Sequence, residues 1–300
     1  MSQNKLRVVI AVIAIMAVCA LFFMMAVFFL VTRNAGDFEF KGFGGRLAQI
    51  DVKGEIIDSD DIVRQIRKYE DDGTVKGLVL RVDSPGGGVA ASQEIYDELL
   101  KFKEDGKIVV VSMGSVAASG GYYISCSADS IIANPGTITG SIGVVLSYPI
   151  IRQLMDKVGL KMEVVKSGNL KDVGNYAREV TPEDRKMLQT LIDDTYDQFV
   201  KVVADSRGMD FDSAKKIADG SVFTGHQALE IGLVDRLGTL QDAITVAGEM
   251  TNLGHNPRIV KERMVKRPFW AFLDNLLGID TNSLFGHQKT WPTLDYIYGY

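Results

Sequence analysis

The chain has 300 residues, enough for one large domain with appendages. Its 33 Lys and Arg against 38 Asp and Glu leave a net charge of −5, which offers no basic footprint for nucleic acid. Charged residues at 24% and hydrophobic residues at 46% point to a globular chain, while two cysteines exclude a disulfide scaffold and three histidines leave little scope for histidine-based metal chemistry.

Residues 1–7 carry Lys5, Arg7 and the terminal amine, and precede an uncharged run from Val8 to Val31. A bilayer core of about 30 Å needs about 20 apolar residues in a helix. The run therefore predicts a transmembrane helix over 8–31, longer than the apolar core of a cleaved signal peptide. The positive flank predicts a cytoplasmic amino terminus, with the rest of the chain on the extracytoplasmic side. Residues 32–46, with four glycines and mixed charge, read as a linker.

From about Leu47 short β-branched runs alternate with helical stretches, the pattern of βαβ units on a largely parallel sheet. Leu78–Val82 reads as a strand. It leads into Asp83-Ser84-Pro85-Gly86-Gly87-Gly88, and a helix follows over Val89–Glu104. Three successive glycines permit backbone conformations closed to other residues and let a substrate approach the main chain. The turn lacks the lysine of a phosphate-binding loop and the spacing of a dinucleotide fingerprint.

Ile108–Val111 is the next predicted strand. Gly114-Ser115-Val116-Ala117-Ala118-Ser119-Gly120-Gly121 follows, with a small-residue helix expected from about Ala117. A serine at a strand-to-helix junction can expose its hydroxyl at the sheet edge, with the next N–H available to an oxyanion. The residues alone do not choose between Ser115 and Ser119. Ile131–Ala133 predicts a third strand, and Thr137-Ile138-Thr139-Gly140-Ser141-Ile142-Gly143 a hydroxyl-rich, glycine-framed turn. A helix over Ile150–Val158 and a strand over Met162–Val165 come next.

Lys166 and Lys171 flank Ser167-Gly168-Asn169-Leu170 directly after that strand. Neither His226, His255 nor His287 stands in a motif that demands a catalytic imidazole, so a lysine is the alternative base for a nucleophilic serine. A lysine acts as a base only when neutral. Lowering its pKa from about 10.4 to near 7 takes roughly 4–5 kcal/mol, most readily supplied by desolvation, so the lysine should stand in a segment that can be buried. Lys171 is the better candidate because a glycine turn precedes it.

Thr181 to about Asp205 predicts the strongest helix. Thr181 is the N-cap, Pro182 takes the first position, and Asp184 the capping-box position. Met187, Leu188, Leu191, Ile192, Tyr196, Phe199, Val200 and Val203 form its apolar stripe. Shorter helices are expected at Phe211–Ala218, His226–Glu230 and Leu240–Met250. Residues 256–300 form a distinct tail, with an apolar, aromatic stretch from Pro268 to Leu277.

The ordered set of Asp83–Gly88, Ala118–Tyr123, Thr139–Gly143 and Lys166–Asp172 resembles the bacterial signal peptide peptidase A family in its short, single-unit form. The resemblance covers roughly Ile50–Ala247. It implies the α/β fold shared by Clp protease and the crotonases, a βαβ superhelix, with a catalytic domain over 47–255. It makes Ser119 the nucleophile, Lys171 the general base, Ser141 the serine that orients the lysine, and Gly86 and Gly120 the backbone oxyanion donors. It implies a membrane-anchored serine endopeptidase, without metal or other cofactor, that degrades remnant signal peptides and other extended apolar peptides. Family members form a homo-oligomeric ring in which neighbouring subunits supply serine and lysine. A non-catalytic, membrane-anchored peptide- or protein-binding scaffold on the same fold is the alternative. Acyl-CoA chemistry is disfavoured by the anchor.

Overall fold

A computed structural model describes residues 44–262 and 295–298, together with Met16 and Leu21. The expected transmembrane helix over 8–31 lies outside the described residues apart from Met16 and Leu21, which are helical and exposed. Among the described residues no helix is long and apolar enough to cross a membrane. The Pro268–Leu277 stretch also lies outside them.

The apolar runs become central strands. Strands β1 (Arg46–Lys53) and β2 (Val75–Ser84) pair in parallel, with Ala48 opposite Leu78 and Lys53 opposite Asp83. After β3 (Gly86–Gly88), β4 (Ile108–Ala118) pairs in parallel on the other side of β2. Successive side chains alternate between sheet faces. Leu78, Leu80 and Val82 join the larger core, which includes Ile66 of helix α1 (Asp60–Glu70) and Ile95, Leu99 and Phe102 of α2 (Val89–Glu104). Val79 points the other way and joins Leu47, Val110 and Ile132 in a second cluster. A strand covered on both faces has to be apolar on both, so β2 reads as a continuous run.

Three expectations need correction. The small-residue segment at Ala117 is strand, not helix. Val116–Ala118 pair with β6 (Ile138–Gly140), and helix α3 starts only at Gly120 and ends at Ser125. Sheet pairing here overrides the helix preference of alanine. The hydroxyl-rich segment is likewise partly strand, since β6 lies within it. Met162–Val165 forms no strand. Among the described residues its backbone has no strand partner, and Val165 is 95% exposed. Strand preference is realised only through cross-strand partners.

The other elements follow the expected order. β5 (Ser130–Ala133) pairs with the first half of β4, and α4 (Arg152–Lys157) is a shortened form of the Ile150–Val158 helix. Helix α5 (Pro182–Arg207) starts at the Thr181–Asp184 capping box and ends at Gly208 in the left-handed conformation, φ 62°. Its apolar stripe is buried only from Thr195 onward, through Phe199, Val200 and Val203, while Leu191 is exposed. Helices α6 (Phe211–Ile217), α7 (Gly225–Glu230) and α8 (Leu240–Met250) follow, and α8 contributes Ala243 and Ala247 to the second cluster.

Short strands complete the sheet: β7 (Val222–Thr224), β8 (Arg236–Leu237) and β9 (Ile259–Lys261). The strand order is β7-β6-β4-β2-β1-β9, with β5 between β4 and β8. Among the described residues, the β6–β7 pairing alone is antiparallel in this sheet, which is largely parallel, as expected. A separate antiparallel pair joins β3 to β10 (Asp295–Ile297), a strand of the tail that the sequence reading did not foresee.

Candidate active site

Three turns meet at the carboxyl ends of β2, β4 and β6, where ligands bind in open α/β sheets. The first is the glycine-rich turn. Gly86 and Gly87 have φ of 102° and 159°, and extended chain flanks them on both sides. On one side the Ile56 N–H donates to the Gly86 carbonyl at 2.8 Å, and the Gly88 N–H donates to the Ile56 carbonyl at 2.8 Å. On the other side runs β10. A Cβ on Gly87 would lie 2.1 Å from the Ile56 oxygen, and one on Gly86 would lie 1.9 Å from the Tyr296 oxygen. Side chains are thus excluded by backbone on both flanks. The Gly86 N–H itself donates to Ser84 Oγ at 3.1 Å.

The second turn carries Ser119. The residue is buried, with φ 54° and ψ −116°, and stands between β4 and α3. A non-glycine residue held at positive φ costs about 1–3 kcal/mol and persists where its surroundings enforce it. Here the Ser119 N–H donates to the Gly140 carbonyl at 2.8 Å, and its carbonyl accepts the Tyr123 N–H at 2.8 Å. Its hydroxyl does not cap α3. Ser115, by contrast, lies within β4 and is exposed. Space around Gly120 is equally tight, since a Cβ there would lie 2.6 Å from Ser92 Oγ.

The third turn carries Ser141, also left-handed at φ 50° and also buried. Its N–H donates to the Ser221 carbonyl at 2.7 Å. Because Ala118 pairs with Gly140, Ser119 and Ser141 leave adjacent strands side by side. The structure therefore brings Gly86, Ser119, Gly120 and Ser141 to one edge of the sheet.

Lys171 is placed differently. It lies in a 3-10 turn over Asn169–Asp172 and is exposed within the single chain. Lys166 is engaged elsewhere: its Nζ donates to Asp172 Oδ1 at 2.7 Å and to the Asn169 carbonyl at 2.9 Å. Arg178 grips the same Asp172 carboxylate at 3.0 and 2.9 Å and also pairs with Asp184, the capping-box acid of α5. The Arg178 and Lys166 hydrogen bonds pull the Asp172 carboxyl down to about 2. Around this turn Leu154, Val158, Leu160, Met162, Val165 and Leu170 are all exposed.

The remaining polar candidates stand apart. His226 and His255 are exposed beside Glu230 and Glu249, and His287 lies outside the described residues. Cys126 is fully buried, and burial pushes its thiol up to about 11.

Residues 101–254 match the model of Peptidase family S49, just over half of the chain. The chain belongs to peptidase family S49. Residues 46–137 also match the Clp protease model, in agreement with the mixed α/β fold. Among S49 relatives, the chain is 46% identical over 209 residues to "Putative protease slr0021" of Synechocystis, covering 69% of this chain and 75% of that one. It is 38% identical to "Putative signal peptide peptidase SppA" of Enterococcus faecium over 66% of this chain and 62% of that one. It is also 38% identical to "Protease 4" of Haemophilus influenzae, over 69% of this chain but only 35% of that much longer one. The S49 chain is accordingly a serine protease.

Sequence reading missed several residues that shape the site. Ser84 occupies the Gly86 amide, and Arg178 anchors the Lys171 turn. Tyr296 of the tail lies against Gly86 and Gly120. The charged Asp172–Arg178–Asp184 spacing gave no sign of one shared network, because a turn and a helix start had to be placed first. The Tyr296-Ile297-Tyr298 alternation was the available signal for β10.

Proposed function

We propose that the chain is a membrane-anchored serine endopeptidase working through a Ser119/Lys171 dyad on extended apolar peptides, remnant signal peptides among them. The observation that carries this reading is the seating of β10. An extended segment lies antiparallel on Gly86–Gly88, and its Tyr296 carbonyl oxygen stands where a Cβ on Gly86 or Gly120 would be 1.9 or 3.1 Å away. A peptide bound by strand addition takes its affinity from main-chain hydrogen bonds, which suits a site that reads many sequences.

In the proposed reaction a neutral Lys171 amine takes the Ser119 hydroxyl proton while Ser119 Oγ attacks the peptide carbonyl. Ser141 orients the amine. The Gly86 and Gly120 N–H groups stabilise the oxyanion, Gly86 turning from Ser84 Oγ to do so. The lysine then gives its proton to the leaving amine, and water releases the acyl-enzyme.

Lys171 needs a dry environment to be neutral, and a neighbouring subunit would supply it. The exposed apolar side chains that lead into its turn support a homo-oligomeric ring in which that segment is covered. The sequence supports placing the chain as a single-pass protein of the bacterial cytoplasmic membrane. Residues 1–7 then lie inside, residues 8–31 span the bilayer, residues 32–46 link, and the 47–255 domain works on the extracytoplasmic side.

The test is hydrolysis of an apolar reporter peptide by the detergent-solubilised full chain and by Ser119→Ala and Lys171→Ala. Both variants are expected to assemble and to lose turnover, and a fluorophosphonate probe is expected to label Ser119 only when Lys171 is present. Unlabelled Ser119 with intact peptide binding would favour the scaffold reading.

A further inference from the structure

Strand β4 changes partners part-way along. Val110–Ser112 pair with β5, whereas Val116–Ala118 pair with β6. Its register on β2 slips at the same place. Val82 faces Met113, but Ser84 already faces Ala117, so Asp83 alone stands opposite Gly114, Ser115 and Val116. Two extra residues on one strand make a bulge, which bends the strand and leaves main-chain groups without ladder partners. The exposed Ser115 belongs to this bulge, not to the turn that carries Ser119.

Side chains take up the main-chain groups of the bulge. The Met113 carbonyl accepts from Arg81 at 2.9 Å and from Asn134 at 3.2 Å. The Gly114 carbonyl accepts from the buried Thr137 Oγ1 at 2.7 Å. The Val116 N–H donates to Asp83 Oδ1 at 3.1 Å. Gly114 leaves room for that carboxylate, since a Cβ there would lie 2.6 Å from Asp83 Cγ. An amide out of water without an acceptor is costly, so the carboxylate oxygen fixes where the bulge sits.

Asp83 holds more than this strand. Its carbonyl accepts the Gly54 N–H at 3.0 Å, at the head of the segment that brings Ile56 against the glycine-rich turn. It directly precedes Ser84, whose Oγ accepts the Gly86 N–H. Beyond the bulge, Ala117 opposite Thr139 and Ala118 opposite Gly140 carry its placement straight to Ser119. One residue thus ties the turn with Gly86 to the strand that ends at Ser119. We propose that Asp83 is a positioning residue that sets where Ser119 stands relative to the Gly86 N–H, through the place of its carboxylate oxygen and not through its charge. The proposal rests on Ser119 as nucleophile, as argued above, and adds a residue that acts on it through Val116.

The experiment compares the full chain in detergent with Asp83→Asn, Asp83→Glu and Asp83→Ala. The readouts are peptide hydrolysis, the rate at which a fluorophosphonate labels Ser119, and Tm. Asparagine keeps an acceptor oxygen in place without the charge, and glutamate keeps the charge but sets it one methylene further out. Asp83→Asn is expected to hold kcat within about threefold of wild type. Asp83→Glu and Asp83→Ala are expected to lose about tenfold or more in kcat and in labelling rate, with KM within about twofold, because a misplacement of about 1 Å can cost about a hundredfold. Thr137→Val removes a bond from the same bulge without touching Val116, and is expected to lower Tm while keeping kcat. Asp83→Glu as active as wild type, Asp83→Asn as slow as Asp83→Ala, or an equal loss of kcat in Thr137→Val would each overturn the proposal. If Asp83→Ala does not fold, the Asn and Glu variants decide. Hydrolysis that depends on Ser119 but ignores Asp83 would remove this proposal and leave the dyad standing. Absence of all Ser119-dependent hydrolysis in wild type would remove the dyad and this proposal with it.

Discussion

Ser119 donates its backbone N–H to the carbonyl of Gly140 across 2.8 Å, and this bond joins two left-handed turns at the ends of paired strands. Gly140 has φ 79°, and a Cβ there would lie 2.6 Å from Phe223 Cδ2. Gly140→Ala should therefore strain the support on which both Ser119 and Ser141 stand. The strain is about 1–3 kcal/mol. The expected outcome is a lower Tm together with a fall in kcat larger than the change in KM, read by calorimetry and peptide hydrolysis. An unchanged kcat would show that the two serines do not depend on this bond.

Arg178 is predicted to act as a positioning residue for the Lys171 turn. It ties Asp172, the neighbour of Lys171, to Asp184 at the start of α5. Arg178→Met should release the turn and reduce kcat about tenfold or more, since a misplacement of about 1 Å at a catalytic group can cost about a hundredfold. Arg178→Lys should recover only part of the loss, because an ammonium cannot reproduce the paired guanidinium contacts. A structural role alone would lower Tm without altering the pH dependence of kcat. The prediction is that the ascending, acid-side limb of that profile moves, because a general base acts only when neutral, which steady-state kinetics across pH would show.

The elements and part of the site were legible for different reasons. Leu78–Val82 and Ile131–Ala133 are short apolar, β-branched runs and Leu240–Met250 a helical pattern, all legible in their own side chains, and each became the element expected. The glycines marked the turns that carry Ser119 and Ser141, but the residues left Ser115 and Ser119 open, and only the resemblance chose between them. What failed was decided by neighbours distant in sequence. Ala117 became strand because Thr139 pairs with it, and Met162–Val165 stayed unpaired because no strand adjoins it among the described residues. Tyr296 packs on Tyr123 and Phe199 and bonds to Thr195, neighbours that only the folded chain brings together.

The start of α5 gives a stability prediction separate from catalysis. The Asp184 N–H donates to Thr181 Oγ1 at 3.1 Å, and the Thr181 N–H donates to Asp184 Oδ2 at 3.0 Å. Thr181→Ala removes the first bond and should cost about 1 kcal/mol. In a domain of this size that is a Tm shift of about 2–4 °C. Thr181→Ser should restore most of it, which differential scanning calorimetry would resolve.

The Asp172 clamp should respond to acid in a defined window. Arg178 and Lys166 hold its carboxyl at about 2 in the folded chain, below the ordinary value of 3.8. A depressed carboxylate contributes stability that is fully present above its unfolded pKa and lost as pH falls through the folded one. The clamp should therefore be intact at pH 5 and above and weaken progressively from about pH 4 to about pH 2. Amide hydrogen exchange across residues 166–178 is the direct measurement. Protection is expected to fall within that window in wild type, and to be low and independent of pH between 2 and 5 in Asp172→Asn. Protection in wild type that persists unchanged to pH 2 would mean that the carboxylate does not hold this turn.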